Sequence, residues 1–226
     1  MKTLIVIPAF NEAENLMELL PKLQEYVEHD IVIVDDASVD DTAQIVHSHG
    51  IKCFTLPIQL GAWGATQTGI RYAAKKGYEQ VITMDADGQH LPTEVKTLMA
   101  LYLDSQANVI IGTFPSRLSH LKKLAWKFFK MLTHIKIEDL TSGFRLYDKQ
   151  AIHVLSSRQA SLLDYQDVGV LLLLLGAGLT INEVPVKMHN RNDGKSRVFS
   201  SWMVVLKYMV QTTTLCIANM GSRRTK

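Results

Sequence analysis

Val81-Ile82-Thr83-Met84-Asp85-Ala86-Asp87-Gly88-Gln89 is a largely apolar run that passes directly into two carboxylates. The run predicts a buried strand over residues 81–84, because its apolar residues do not alternate with polar ones as in a half-buried strand. A helical pattern over 92–103 follows, with Pro92 at a permitted first-turn position. A strand, a polar turn and a helix in this order indicate an α/β unit.

The same unit recurs on both sides of this segment. Short apolar runs predict four more strands in the first half of the chain: 4–7, 31–34, 52–56 and 109–111. Between them we expect helices capped by Asn11 and by Ser38, and a third over 61–75, with Pro8 ending the first strand. This alternation indicates an α/β fold with a mostly parallel sheet sandwiched by helices, whose ligands bind at the carboxyl ends of the strands.

The second half is less regular. A basic, aromatic amphipathic helix is expected over 118–136, and a loop leading into a strand over 139–147. An apolar helix over 161–176, interrupted by polar residues, precedes a strand over 180–187. A mostly apolar helix over 198–219 ends in a basic tail. We therefore divide the chain into a domain over 1–197 and a C-terminal apolar helix with its tail over 198–226.

Composition excludes several classes of protein. The chain has 226 residues, of which 47% are apolar, and a formal net charge of +2. It is long enough for one domain with a sizeable core. The net charge by itself says little about partners, and we expect no nucleic acid among them. Cys53 and Cys216 lack the paired spacing of a disulfide framework or zinc site, which favours a reduced, cytosolic chain. No stretch reaches about 18 uninterrupted apolar residues, so we expect no transmembrane helix. The apolar run near the N-terminus, over 4–7, is too short for the core of a signal peptide and fits a first strand better.

Polar or glycine residues follow four of the predicted strands and are expected to meet at one edge of the sheet. They are Asn11 and Glu12, Asp35 and Asp36, Gly61, and Asp85 and Asp87. The alternative is that loops are simply polar. The carboxyl edge of a parallel sheet is nevertheless the usual place for a ligand, which favours a site here.

The pair Asp85 and Asp87 is the central chemical feature. Two carboxylates one residue apart can reach one hard cation, and Gln89 could add a third oxygen, which suits Mg²⁺ or Mn²⁺. Such a cation would neutralise a leaving diphosphate. An Asp-x-Asp alone is a weak signal, and its position after a buried strand strengthens it. For His90 we expect an exposed loop residue, with contact to a metal-bound phosphate as the alternative.

Five motifs, in order over residues 3–197, resemble family 2 glycosyltransferases. They are the segments 5–15, 34–42, 84–90, 139–145 and 183–186. The last two look like the branch that transfers sugars to dolichyl or polyprenyl phosphate. The resemblance implies a catalytic domain of the GT-A (Rossmann-like) type over 1–197. It also implies metal-dependent, inverting transfer of a sugar from a UDP- or GDP-sugar to polyprenyl phosphate, for cell-envelope or glycan assembly.

The resemblance also implies roles for particular residues. The nucleotide-sugar would be held by Pro8, Phe10, Glu12, Asp36, Asp85, Ala86, Arg191 and Arg197. The metal ligands would be Asp85, Asp87 and Gln89, the acceptor phosphate would meet Arg117, Arg145 and Lys195, and the catalytic residues would be Asp87, Asp167 and Arg145. The family's mobile basic loop corresponds to 191–197, where the family commonly has Lys in place of Arg197.

Each of these roles has a plainer alternative. Glu12 could be a first-turn carboxylate of a helix, and Arg145 could form an ion pair with Asp139. Segment 191–197 could be a solvated loop. Asp167, which we prefer to Asp164, could be a helix carboxylate paired with a cation.

The basic, aromatic segment 118–132 suits a membrane interface, as does the C-terminal helix. We therefore expect a cytoplasmic protein, peripheral on the inner face of the membrane, either alone, with a small membrane protein, or as a homo-oligomer. The alternative is ordinary core packing with a solvated basic face.

Two other functions remain open: transfer to a sugar hydroxyl with Asp167 as general base, and a non-catalytic nucleotide-sugar-binding subunit.

Overall fold

The computed structural model describes residues 1–114, 137–140, 142–163 and 167–189. The strands are β1 (Thr3–Ala9), β2 (Asp30–Asp35), β3 (Lys52–Thr55), β4 (Gln80–Thr83), β5 (Val109–Thr113), β6 (Arg145–Asp148) and β7 (Ile181–Pro185). The helices are α1 (Ala13–Tyr26), α2 (Thr42–Ser48), α3 (Gly61–Lys76), α4 (Val95–Ser105), α5 (Lys149–Leu155) and α6 (Val168–Gly176). Two 3-10 turns, Pro92–Glu94 and Ala160–Leu162, precede α4 and α6.

The strands form one seven-stranded sheet in the order β3-β2-β1-β4-β6-β5-β7. Neighbours pair in parallel except at β6, which is antiparallel to both β4 and β5. The predicted α/β fold, with a mostly parallel sheet between helices, is confirmed.

Side-chain alternation along the strands sends apolar residues to two separate cores. On β1, Leu4 and Val6 join the core under α3, α5 and α6, whereas Ile5 and Ile7 join the core under α1, α2 and α4. Helix α1 contributes its stripe at helical spacing, Leu16, Leu19, Leu20 and Leu23. Full burial of each such leucine stabilises the fold by roughly 1.5–3 kcal/mol, so this stripe fixes the helix on the sheet.

Several local expectations are wrong for physical reasons. Pro8 does not end β1 but pairs with Val34 inside it. It is tolerated because β4 pairs with β1 only as far as Val6, so the missing N–H of Pro8 removes no ladder bond on that side. Asn11 has φ +53° and caps no helix, since α1 begins after Glu12.

The predicted helix boundaries also shift. Ser38 is not a cap, because α2 begins only after Asp41. The helix expected over 161–176 is observed as a 3-10 turn and, separately, α6. The short helix α5 was not predicted from the sequence. The helices expected over 118–136 and 198–219 lie outside the described residues. In the described part of the chain, no helix combines the length and apolarity needed to cross a bilayer.

The reversed direction of β6 explains which loops meet at the functional edge. The parallel strands β1, β2 and β4 end there, leading into residues 10–12, 35–38 and 85–87. Because β6 runs the other way, it begins at that edge, where Arg145 pairs with Thr83 of β4. The segment 142–144 is thereby delivered next to the carboxylate pair.

Candidate active site

Asp85 and Asp87 lie in a tight turn after β4. The backbone N–H of Met84 still donates to Val6 (3.1 Å), so the strand is anchored up to the turn. The Asp85 side chain is 41% exposed. The Asp87 Oδ1 accepts the N–H of Gln89 (3.1 Å), and Gly88, at φ +73°, supplies the conformation that closes the turn. Both carboxylates are thus held at the sheet edge, as predicted.

The rest of the turn is more deeply buried than the carboxylates. Ala86 and Gln89 are buried, and the Gln89 Oε1 has no hydrogen-bond partner among the described residues. The expectation that His90 is an exposed loop residue is wrong, because the residue is only 1% exposed and its ring stacks on Phe144 with centroids 5.1 Å apart.

Gly143 lies directly against the Asp85 carboxylate. A Cβ at this position would stand 2.7 Å from the Asp85 Oδ1 and 3.0 Å from its Oδ2. The carbonyl of Gly143 is fixed by the Thr83 hydroxyl, which donates to it (2.7 Å). A side chain at this position would therefore force the Asp85 carboxylate to move.

Arg145 holds the loop that carries Gly143. Its guanidinium is fully buried, and it donates from Nε to the carbonyl of Ser142 (2.8 Å) and from Nη2 to that of Leu140 (3.0 Å). Its Nη1 has no partner in the described part of the chain. The structure thus gives Arg145 a positioning contact, and its predicted contacts with phosphate stay a prediction.

The motif around Glu183 is hydrogen-bonded to the start of the loop that carries Gly143 and Arg145. The Glu183 carboxylate accepts the backbone N–H groups of Glu138 (2.8 Å to Oε2) and Asp139 (2.9 Å to Oε1). The Asp139 Oδ1 in turn accepts the N–H of Ser142 (3.1 Å), whose hydroxyl donates to Gly112 (2.6 Å). The motifs 139–145 and 183–186 therefore form one hydrogen-bonded unit beside the carboxylate pair.

The loops after β1 and β2 are cross-linked by hydrogen bonds. The N–H of Asn11 donates to the Ser38 hydroxyl (2.9 Å), and the N–H of Val39 donates to the Asn11 Oδ1 (2.9 Å). Asn11 and Ala37 both have positive φ, at +53° and +62°. Non-glycine residues in this region carry local backbone strain, which persists only where the surroundings enforce it. The two loops form a rigid, pre-shaped edge.

A second link ties this edge to the starts of α1 and α2. The N–H of Glu12 donates to the Thr42 hydroxyl (2.9 Å), which donates to the Asp40 Oδ1 (2.5 Å), and the Asp40 Oδ2 accepts the N–H of Ala13 (3.2 Å). Burial by itself raises the pKa of Asp40, but the hydrogen bonds from Thr42 and Ala13 outweigh it and leave the pKa below its ordinary value. The ionised form of Asp40 is therefore the one built into the edge.

Asp36, predicted to hold the nucleoside, is buried and anchors the entry to α3. Its Oδ1 accepts the N–H of Leu60 (2.7 Å), and its Oδ2 accepts the N–H of Gly61 (2.8 Å). Each carboxylate oxygen has a second lone pair, so this anchoring is compatible with a further contact. The predicted nucleoside residues Pro8 and Phe10 are half-buried at the same edge.

Asp167 caps α6. It is buried, and its carboxylate accepts the N–H of Gly169 (3.3 Å). Its predicted acceptor-side role stays a prediction. The other predicted acceptor and diphosphate residues, Arg117, Arg191, Lys195 and Arg197, lie outside the described residues, as does Asp164.

The carboxylate pair meets the requirements of a divalent cation that also takes substrate oxygens. Among the described residues, no three His, Cys, Asp or Glu side chains cluster as a complete metal site. Mg²⁺ and Mn²⁺ complete such partial sites with water and phosphate oxygens. Two hard carboxylates, one of them partly exposed, match that donor set, as does the Gln89 amide oxygen, which no other described residue contacts by a hydrogen bond.

Sequence reasoning assigned no separate role to Gly143, Asp40 or Thr42. Gly143 lies in a quoted motif, but its contact with Asp85 follows from the antiparallel pairing of β6 with β4, which leaves no local signal. A cavity of about 670 Å³, lined by residues such as Met1, Glu79 and Asp148, lies at the opposite edge of the sheet. Among the described residues, none of the predicted site residues lines it.

Comparisons with known proteins agree with this arrangement. The model of glycosyl transferase family 2 matches residues 4–156. Polyprenol monophosphomannose synthase of Mycolicibacterium smegmatis is 25% identical over 218 residues, which cover 88% of this chain and 82% of that protein. Undecaprenyl-phosphate mannosyltransferase of Micrococcus luteus is 26% identical over 215 residues, which cover 88% of each.

A solved structure confirms the GT-A fold. Glucosyl-3-phosphoglycerate synthase from Mycobacterium tuberculosis, in complex with Mn²⁺, UDP-glucose and phosphoglyceric acid, matches this chain with a TM-score of 0.74. The match covers 97% of this chain and 80% of that one at 17% sequence identity. At that identity the likeness concerns the fold alone.

Proposed function

The chain belongs to glycosyl transferase family 2, and we propose that it transfers a sugar from a UDP- or GDP-sugar to the phosphate oxygen of a polyprenyl phosphate. The observation that carries this proposal is the carboxylate pair, Asp85 and Asp87, held at the carboxyl edge of the sheet beside the 139–145 and 183–186 motifs. Two relatives that align over most of this chain, named polyprenol monophosphomannose synthase and undecaprenyl-phosphate mannosyltransferase, support the choice of acceptor.

The nucleoside end of the donor binds at the edge formed by the loops after β1 and β2. These loops are already fixed by the Asn11–Ser38 and Glu12–Thr42 hydrogen bonds, so little ordering cost remains on binding. Asp36 contributes its remaining lone pairs to the nucleoside. Pro8 and Phe10 provide half-buried surface beside it.

The diphosphate lies over the β4 turn. Asp85 and Asp87, with Gln89, would hold Mg²⁺ or Mn²⁺, which when bound neutralises charge on the leaving nucleoside diphosphate. The chain's own part is to keep the two carboxylates in place. Gly143 leaves room for Asp85, and the N–H of Gln89 fixes Asp87.

The acceptor oxygen of a polyprenyl phosphate is already an anion near neutral pH, so it needs orientation rather than deprotonation. Its attack forms a bond to the anomeric carbon, while the bond from that carbon to the diphosphate breaks and its electron pair leaves with the nucleoside diphosphate. Attack from the face opposite the leaving group inverts the anomeric centre. Catalysis then comes mainly from positioning and charge stabilisation, with Asp167 and Arg145 as positioning residues.

Because a polyprenyl phosphate is a membrane lipid, the transfer would take place at a membrane surface. We propose a peripheral attachment on the cytoplasmic side, through the basic, aromatic segment 118–136 and the C-terminal segment 198–226. A small membrane protein or a second copy of the chain would strengthen it.

The test incubates the purified chain and Mn²⁺ or Mg²⁺ with UDP- and GDP-sugars, each with and without a polyprenyl phosphate. Mass spectrometry then measures the lipid-phosphate-sugar. We expect one donor to give this product, and Asp87→Asn to abolish it while Asp104→Asn, an exposed carboxylate on α4, leaves it unchanged. Transfer to a sugar hydroxyl with no lipid product, or a product unaffected by Asp87→Asn, would overturn the proposal.

A further inference from the structure

His90 lies where the 84–90 motif meets the 139–145 motif and the segment that follows β7. Its ring stacks on Phe144 of the 139–145 motif, with an interplanar angle of 20°. Its backbone forms an antiparallel bridge with Met188, and the N–H of His189 donates to the carbonyl of Gln89 (2.9 Å). The β4 turn is therefore closed on the segment that follows β7. The ring is thus held from two directions and has little freedom to reorient.

The hydrogen bonding of His90 fixes its tautomer. The backbone N–H of Asp85 donates to the His90 Nδ1 (2.9 Å), so Nδ1 is an acceptor and the proton of the neutral ring resides on Nε2. That Nε2–H is buried and has no hydrogen-bond partner among the described residues. A buried donor without an acceptor is costly, so the arrangement indicates a missing contact.

The nearest candidate acceptor for this N–H is the side-chain carboxylate of Asp85, whose backbone N–H already donates to Nδ1. The His90 Nε2 lies 3.7 Å from the Asp85 Oδ2, which is too far for a hydrogen bond. Because the Asp85 side chain is 41% exposed, a small rotation of its carboxylate would bring the two atoms within hydrogen-bond distance. On its other side the carboxylate meets Gly143, where a Cβ would be 2.7 Å from Oδ1. The Asp85 carboxylate therefore lies between the histidine ring and the backbone of Gly143, with part of it open to solvent.

We propose that His90 is a positioning residue for the metal-binding carboxylate of Asp85. It holds the backbone of Asp85 through Nδ1 and, when the cation is bound, orients the carboxylate through a hydrogen bond from Nε2–H to Oδ2. Ligating carboxylates commonly depend on such an outer partner, and its loss lowers metal affinity about 10- to 100-fold. The proposal rests on the proposed function, because it needs the cation at Asp85 and Asp87.

Two substitutions separate the two nitrogens of the ring. His90→Asn keeps an acceptor near the place of Nδ1 but has no donor that reaches the place of Nε2. His90→Gln places an amide donor near the Asp85 carboxylate but loses the acceptor at Nδ1. A merely space-filling role for the ring predicts that the two variants behave alike towards the cation.

The readout is Mn²⁺ affinity in the presence of UDP or GDP, measured by the electron paramagnetic resonance signal of free Mn²⁺, without turnover. We expect the dissociation constant of Mn²⁺ to rise about tenfold or more in His90→Asn and to change less than threefold in His90→Gln. Equal affinities in wild type and His90→Asn, or equal losses in both variants, would overturn the proposal. If wild type itself binds no Mn²⁺ with either nucleotide, the metal-dependent function fails instead.

A measurement on the wild-type protein decides the matter if the variants do not fold. Nitrogen-15 NMR of the His90 ring reports which nitrogen carries the proton and whether that proton is hydrogen-bonded. We expect the Nε2–H tautomer throughout, with its proton shifting downfield when Mg²⁺ and nucleotide are added. A proton on Nδ1, or an Nε2–H signal that does not respond to Mg²⁺, would contradict the proposed contact.

Discussion

Replacing Gly143 with alanine displaces the Asp85 carboxylate without changing either member of the carboxylate pair. The added Cβ would stand 2.7 Å from the Asp85 Oδ1, and ordinary van der Waals contact begins at 3.4 Å. The carboxylate must therefore retreat by roughly 0.7 Å. It can do so cheaply, because it is the end of a side chain that is 41% exposed.

The effect of this displacement should fall on activity and not on folding. A misplacement of about 1 Å at a reacting centre costs on the order of 100-fold in rate, so we expect kcat/KM for the nucleotide-sugar to fall about 10- to 100-fold. This corresponds to roughly 1.4–2.7 kcal/mol of lost transition-state stabilisation. The free energy of unfolding should change by no more than about 1 kcal/mol.

The assay compares kcat/KM and the Mn²⁺ dissociation constant of Gly143→Ala with those of wild type and of Gly176→Ala. Gly176 ends α6, and a Cβ there meets no atom within 4 Å, so this control adds the same methyl group without a clash. Wild-type activity and Mn²⁺ affinity in Gly143→Ala would refute the reasoning. So would an equal loss in Gly176→Ala.

Three further predictions concern the framework of the site. Ala37→Gly relieves a φ of +62°, and we expect the free energy of unfolding, from urea titration, to rise by about 0.5–1 kcal/mol. Gly69→Ala drives a methyl group into the buried side chain of Val6, and the same titration should show a loss of about 1–3 kcal/mol. The lowered pKa of Asp40 means that its stabilisation is present above its ordinary pKa of 3.8 and is lost as the pH falls through the folded-state pKa. Thermal unfolding between pH 2.5 and 6 should show this loss in wild type and a smaller one in Asp40→Asn; identical pH profiles would contradict it.

The arrangement of the first half of the chain was predictable because its signals are local. Apolar runs separated by helical spacing indicate a parallel sheet, and the strand ends then mark the edge where Asp85, Asp87 and Asp36 lie. The boundaries were less predictable. Ser38 and Asn11 have the composition of helix caps, but they are used to bond the loops after β1 and β2 to each other.

The parts that escaped prediction depend on contacts between distant segments. The antiparallel direction of β6 brings Gly143 against Asp85, and no local pattern encodes that direction. His90 is buried with its ring stacked on Phe144 and its backbone bridged to Met188, although its neighbours in sequence suggest an exposed turn. Arg145 has the sequence context of a phosphate ligand, yet its described contacts are with backbone carbonyls of its own loop.

The central claim, inverting transfer of a sugar to a lipid phosphate, is tested most directly by the linkage in the product. Proton and phosphorus NMR of the material formed from an α-linked nucleotide-sugar, Mn²⁺ and polyprenyl phosphate would measure that linkage. We predict a phosphodiester between the lipid phosphate and the anomeric carbon, with the β configuration. A glycosidic bond to a hydroxyl, a retained α configuration, or free sugar as the sole product would contradict it.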